Sequence, residues 1–126
     1  MFKGRSSDVS FFQNETYHCS CSDNDLSREE AIEMGWFCSE CDEYIHIHAE
    51  DKGEQAVFIR MQAKDIVKNT LVCPDGMNID TSYVVLGINK LTSKRHDGKL
   101  GIGLKNYRQI IVKPDYIINC RIGGSW

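Results

Sequence analysis

Two close pairs of cysteines constrain the N-terminal third of this chain more than any other feature. Cys19 and Cys21 are separated by one residue, and sixteen residues later Cys38 and Cys41 are separated by two. Cysteine pairs at such spacing are typical of proteins that present four thiolates to one tetrahedral Zn²⁺, with each pair on a tight turn. The sequence therefore predicts a zinc site formed by Cys19, Cys21, Cys38 and Cys41.

Four thiolates would fill the zinc tetrahedron and leave no position for water, so we expect a structural site and no hydrolytic activity. The acidic segment 17–50 has few apolar residues for a core of its own. Structural zinc can stabilise such a segment, because its binding contributes roughly 10–16 kcal/mol coupled to folding. The simpler alternative is four reduced cysteines that hold no metal.

Three histidines leave the choice of ligands open. His18 adjoins the tighter cysteine pair and could replace one cysteine as a ligand. His46 and His48 share one face of a predicted strand, where they could bind metal or simply be polar residues of a half-exposed strand. If one of them displaced a cysteine, the site could be open and catalytic.

A short helix is predicted between the two cysteine pairs. Ser27 is followed three residues later by Glu30, the pattern of a capping box in which each side chain accepts from the other residue's backbone N–H. Gly35 stands where a helix ends with a positive φ angle. We therefore expect about two helical turns between these signals.

The residues around the second cysteine pair resemble those of a known kind of metal module. Ala31 and Gly35-Trp36 lead directly into Cys38-x-x-Cys41, which resembles small zinc-ribbon-like modules in which a short helix packs near the metal knuckle. The resemblance covers residues 17–50 and is one of motif. It implies a zinc-ribbon-like module within an N-terminal domain of residues 1–53.

Residues 54–126 are predicted to be all β. Apolar and β-branched runs indicate strands at 56–60, 70–73, 82–91, 100–104, 107–112 and 117–122, with Gly87 marking a bulge. Asp97-Gly98 is the turn signal of a hairpin tip at 94–98. Further strands are predicted near 9–12 and at 44–48. Many short strands with tight turns indicate a small barrel.

The end of the chain adds a second resemblance. The run from Ile110 to Ile117, which contains Pro114, resembles the last turn of SH3-like barrels, where a strand meets a 3₁₀ turn before the final strand. The expected fold is therefore mainly β, with a zinc-ribbon-like module at 1–53 and an SH3-like small β-barrel at 54–126. The acidic loop and aromatic residues of proline-peptide-binding SH3 domains are not evident, so that ligand is not expected.

The charge of the chain is unevenly distributed. Residues 1–56 hold 4 Lys/Arg and 13 Asp/Glu, a formal charge of −9, whereas residues 57–126 hold 11 Lys/Arg and 5 Asp/Glu, a formal charge of +6. The two halves could attract each other, be plain solvated surfaces, or meet different partners. No apolar run is long enough for a membrane helix or a signal peptide, so we expect a cytoplasmic protein without a membrane partner.

Basic side chains gather around the predicted hairpin. Tyr83 and Tyr107 lie nearby in sequence, and basic groups with aromatic rings are the ingredients of nucleic-acid binding. The alternative is a hairpin tip that is merely solubilising, and the pI of about 5.8 is low for a dedicated nucleic-acid binder. The candidate nucleic-acid-binding residues are Lys90, Lys94, Arg95, Lys99, Lys105 and Arg108.

The sequence predicts a non-catalytic zinc protein that binds nucleic acid or a nucleoprotein complex through its basic barrel. The first alternative is a protein-binding adaptor or inhibitor that uses the acidic zinc module, and the second is a small metallohydrolase. Cys73 and Cys120 lie in apolar strands and are expected to be small core residues. No phosphate loop, nucleophile elbow or small-molecule site is evident.

Overall fold

The computed structural model describes residues 11–21 and 24–124, and these residues form a mainly β structure, as the sequence predicts. The elements are β1 (Asn14–His18), α1 (Arg28–Glu33), β2 (Phe37–Cys38), β3 (Glu43–Tyr44), β4 (His46–Asp51), β5 (Glu54–Gln62), a 3₁₀ turn (Ala63–Asp65), β6 (Leu71–Cys73), β7 (Tyr83–Lys90), β8 (Leu100–Leu104), β9 (Ile110–Val112) and β10 (Ile117–Gly123).

Eight of these strands form one antiparallel sheet in the order β1-β4-β5-β10-β6-β7-β8-β9, and β2 pairs with β3 in a small separate hairpin. The predicted domain boundary after residue 53 falls in the turn between β4 and β5. These two strands pair directly, from Ile47 with Phe58 to Asp51 with Glu54. The sheet therefore continues from the cysteine-rich segment into the basic half of the chain.

The helix between the cysteine pairs is confirmed at Arg28–Glu33. Ser27 is its N-cap: the Glu30 backbone N–H donates to Ser27 Oγ at 3.1 Å, and the Ser27 N–H donates to Glu30 Oε1 at 2.8 Å. The helix ends at Glu33 with Met34 as its C-cap, and Gly35 follows with a φ of +68°. The Trp36 N–H closes the end by donating to the Ala31 carbonyl. No helix in the described residues is long and apolar enough to cross a membrane.

Most predicted strands are confirmed, with small shifts in their ends. The bulge at Gly87 is present as a shift in the β7–β8 register, and residues 91–99 form the turn of that hairpin. The strand predicted near 9–12 lies partly outside the described residues. Phe11 and Phe12 are not in a strand, and β1 begins at Asn14.

The apolar side chains form a core on each side of the sheet. One cluster joins the sheet to α1 and to the segments that contain the four cysteines, and it includes Trp36, Ile47 and Phe58. The other includes Val72 and Cys120, which are cross-strand partners on β6 and β10. Side chains alternate between the faces of a strand, so neighbouring residues of β10 contribute to opposite cores.

A buried ion pair connects β1 to the middle of the sheet. Arg60 on β5 donates from Nη1 to Glu15 Oε1 at 3.0 Å and from Nη2 to Glu15 Oε2 at 2.7 Å, and neither side chain is exposed. Arg60 Nε also donates to Asn119 Oδ1 at 2.7 Å. The guanidinium lies over the Trp36 ring, 4.5 Å from its centroid. This arrangement ties the segment before Cys19 and the segment before Cys38 to the sheet.

Candidate metal centre

The four cysteines of the sequence motif converge at one place. Their sulfur atoms all lie within 4.8 Å of one another. The Sγ atom of Cys19 is 3.2 Å from that of Cys21 and 3.4 Å from that of Cys41, and the Sγ atom of Cys21 is 3.5 Å from that of Cys38. These four cysteines could therefore hold one metal ion.

The separations fit a shared metal better than direct sulfur bonding. A disulfide requires about 2.05 Å between sulfurs. A regular tetrahedron with metal–sulfur distances of about 2.3 Å requires sulfur–sulfur distances of about 3.8 Å. The observed separations lie near the second value, and a small outward movement of the thiols would complete the tetrahedron. The donor set, four soft sulfur atoms, suits soft and borderline metals.

Local backbone structure places each cysteine. Cys19 follows the last residue of β1 and is buried, whereas Cys21 is exposed in the following turn. Cys38 ends β2 and is buried, and Cys41 lies in the turn that connects β2 to β3. The residue after it, Asp42, has a φ of +58°, which reverses the chain within this tight turn. Each pair thus presents one inner and one outer thiol.

Neighbouring groups set the protonation of the outer thiols. A hydrogen bond with the Ser20 side chain, and then contacts with the other three thiols, lower the pKa of Cys41 to about 7. The Cys19 thiol, followed by that of Cys38, raises the pKa of Cys21. A metal binds thiolates, so its binding would displace the protons of these thiols.

The three nearby histidines are grouped beside the cysteines and are not part of the four-ligand group. His18 lies opposite His46 in the β1–β4 register, and its ring is 4.0 Å from that of His48. The two ring nitrogens of His18 contact Asp25 and Thr16, each at 2.9 Å. Burial, together with the other two imidazoles, lowers the pKa of His48.

The remaining cysteines lie in the sheet away from this cluster. Cys73 and Cys120 are each 1% exposed. Burial raises the pKa of Cys73 to about 11 and that of Cys120 to about 12. The structure therefore places both in the core, as the sequence predicts.

The six candidate nucleic-acid-binding residues fall into two groups. Lys90, Lys94, Arg95 and Lys99 lie at the hairpin end of β7 and β8, whereas Lys105 and Arg108 lie beyond the opposite end of β8. At about 3.3 Å per residue, the five residues of β8 separate the groups by roughly 15 Å. All six except the partly buried Lys99 are exposed.

The aromatic residues predicted to support binding belong to the second group. The rings of Tyr83 and Tyr107 are stacked, with centroids 4.5 Å apart, and the Arg108 guanidinium lies 5.6 Å from the Tyr107 centroid. The strand predicted at 100–104 already separates Lys99 from Lys105 in the sequence, and the β7–β8 register places Lys90 in the first group.

Compared with protein-family models, curated proteins and solved structures, the chain matches none.

Proposed function

We propose that this chain is a non-catalytic zinc protein that binds nucleic acid, alone or within a nucleoprotein complex, through the basic residues of its β7–β8 hairpin. The observation that carries the proposal is the convergence of four thiols beside a sheet whose β7–β8 hairpin presents exposed basic side chains. The metal would stabilise the fold, and the hairpin would contact the nucleic acid.

Zinc is the metal proposed for the cysteine cluster. Cys19, Cys21, Cys38 and Cys41 would be its ligands, and as thiolates they would give it a complete tetrahedral shell. Such a shell has no position for water, so the proposed role of zinc is structural. In this proposal residues 1–53 contain a zinc-ribbon-like module and residues 54–126 form an SH3-like barrel. The protein would act in the cytoplasm.

The basic hairpin supports nucleic acid as the partner. Lys94 and Arg95 stand at its tip, and Lys90 and Lys99 stand at its base. Lysine and arginine side chains bind phosphates and release counterions, which makes such binding strong at low salt and weak at high salt.

The test is the binding of zinc-loaded protein to short fluorescent DNA and RNA of mixed sequence over a range of salt concentrations. We expect the logarithm of the binding constant to fall linearly with the logarithm of the salt concentration. A Lys94→Gln, Arg95→Gln variant should bind several-fold more weakly than the unaltered protein. Lys52→Gln, in the β4–β5 turn, is the control and should bind as the unaltered protein does. Absence of binding at low salt would contradict the proposal.

A protein partner is the second candidate, and it is favoured by the acidic surface beside the cysteines. The helix and the β2–β3 turn expose a run of carboxylates without a matching set of cations: Glu29, Glu30, Glu33, Glu40, Asp42 and Glu43. If nucleic acid does not bind, isolation of the tagged protein from its host would identify what contacts this surface.

A further inference from the structure

A cleft at the hairpin end of the sheet brings together three lysines from separate parts of the chain. Lys64 comes from the 3₁₀ turn, Lys99 from the end of the β7–β8 turn and Lys113 from the turn before β10. All three line a cleft of about 430 Å³. Asp97 and Asp115 also line it. We call this the three-lysine cleft. Lys64 and Lys113 were not among the residues that the sequence indicated for binding.

Backbone hydrogen bonds hold the walls of the three-lysine cleft together. The Lys64 N–H donates to the Pro114 carbonyl at 2.9 Å, which joins the 3₁₀ turn to the turn before β10. The Leu91 N–H donates to the Lys99 carbonyl at 2.9 Å, which closes the base of the β7–β8 hairpin. The β8–β9 pairing, which ends at Leu100 and Val112, joins these two walls, so the backbones of the three lysines belong to one hydrogen-bonded unit.

The placement of the lysines concentrates positive charge. Leu100 pairs with Val112, so Lys99 and Lys113 are one step beyond this pair on facing strands. Like charges that face each other across strands are destabilising. Within the described residues Arg28 and Arg60 form ion pairs with Glu15, and none of these three lysines takes part in an ion pair. Asp97 and Asp115 offset two of the three positive charges, so the charged side chains that line the cleft sum to +1. An anionic ligand would offset this remaining charge.

We propose that the three-lysine cleft binds the phosphate backbone of the nucleic acid, so that the strand passes from the hairpin tip across Lys99 to Lys64 and Lys113. This inference rests on the proposed function and extends it. Lysine ammonium groups act on phosphate as point charges and carry no sequence information, so the contact is independent of base sequence. Lys105 and Arg108, at the other end of β8, lie off this path.

The experiment measures the salt dependence of DNA binding for three zinc-loaded proteins. They are the unaltered chain, a Lys64→Gln, Lys113→Gln variant, and a charge-matched control, Lys52→Gln with Lys68→Gln. For a single-stranded fluorescent DNA, each lost phosphate contact reduces the slope of log K against log salt by about 0.7. We expect the cleft variant to lose about 1.4 from the slope and roughly tenfold in affinity at 0.1 M salt, and the control to lose much less.

A fourth protein, the Asp97→Asn variant, should change the DNA affinity in the opposite direction. Asparagine before Gly98 keeps the turn while removing a negative charge from the cleft, so DNA binding should become severalfold tighter. A purely structural role for the cleft would not produce this gain. Circular dichroism confirms that each variant is folded.

Two outcomes would overturn the inference, and they are distinguishable. If the unaltered protein binds DNA but the cleft variant matches its control, the cleft is not on the path and the proposed function still stands. If the unaltered protein fails to bind DNA or RNA at low salt, the proposed function fails and the inference with it.

Discussion

At the residue scale, the buried ion pair of Glu15 and Arg60 is the interaction whose loss should lower the free energy of unfolding most. Glu15→Gln would remove the carboxylate that accepts from both Nη atoms of the buried Arg60 guanidinium, although Asn119 would still accept one hydrogen bond. Breaking one side of a buried ion pair costs about 3–5 kcal/mol. Urea unfolding of the zinc-loaded variant should show a loss of this size in the free energy of unfolding.

The control for this prediction is Glu54→Gln, at an exposed position of β5. It should change the free energy of unfolding by less than about 0.5 kcal/mol. A Glu15→Leu, Arg60→Met double variant removes both charges, but it also removes the acceptor of the Phe12 N–H and the Tyr17 hydroxyl. It should therefore recover only part of the lost stability. Equal stability of Glu15→Gln and Glu54→Gln would contradict the structural role given to the pair.

The same residues show what could be predicted from the sequence. The cysteine cluster was predictable because each half of it is a local turn whose spacing is visible in one short segment. The partnership of Glu15 with Arg60 was not, since it joins residues 45 positions apart through the register of three strands. The convergence of Lys64 with Lys99 and Lys113 depends on tertiary packing in the same way.

At the scale of single elements, the capping box should decide whether α1 forms. This helix has six residues, which are too few to form a stable helix without capping interactions at its ends. Ser27→Ala removes the acceptor for the Glu30 N–H and should cost about 1 kcal/mol in the free energy of unfolding. Ser93→Ala, in the exposed β7–β8 turn, is the matched control, and an equal effect of both changes would contradict the role of the cap.

Elements with local signals were predicted well, and β1 was not. The capped helix, the Gly87 bulge and the Asp97-Gly98 turn each follow from residues within a few positions. Strand β1 has no apolar alternation because its inward-facing Glu15 is stabilised by Arg60 and not by apolar contacts. The apolar Phe12 precedes β1 and lies outside any strand. Its ring packs on that of Phe58 in β5, with centroids 4.7 Å apart.

At the scale of the whole molecule, the strand that leads into the metal site and the basic hairpin belong to one continuous sheet. The order of strands runs from β1, which leads into Cys19, to β8 and β9, which border the three-lysine cleft. Trp36, two residues before Cys38, also belongs to the core that joins the cysteine-containing segments to β5. Loss of the metal should therefore weaken the packing of the sheet as well as the cysteine turns.

The most direct measurement of the central claim combines metal content with thiol reactivity in the native protein. We predict about one zinc per chain after dialysis, and four cysteines that react with a thiol reagent only when a chelator removes the zinc. Cys73 and Cys120 should stay unreactive until the chain unfolds, because burial raises the pKa values of their thiols to about 11 and about 12. A fully folded protein that contains no metal, with Cys19, Cys21, Cys38 and Cys41 reduced, would contradict the account.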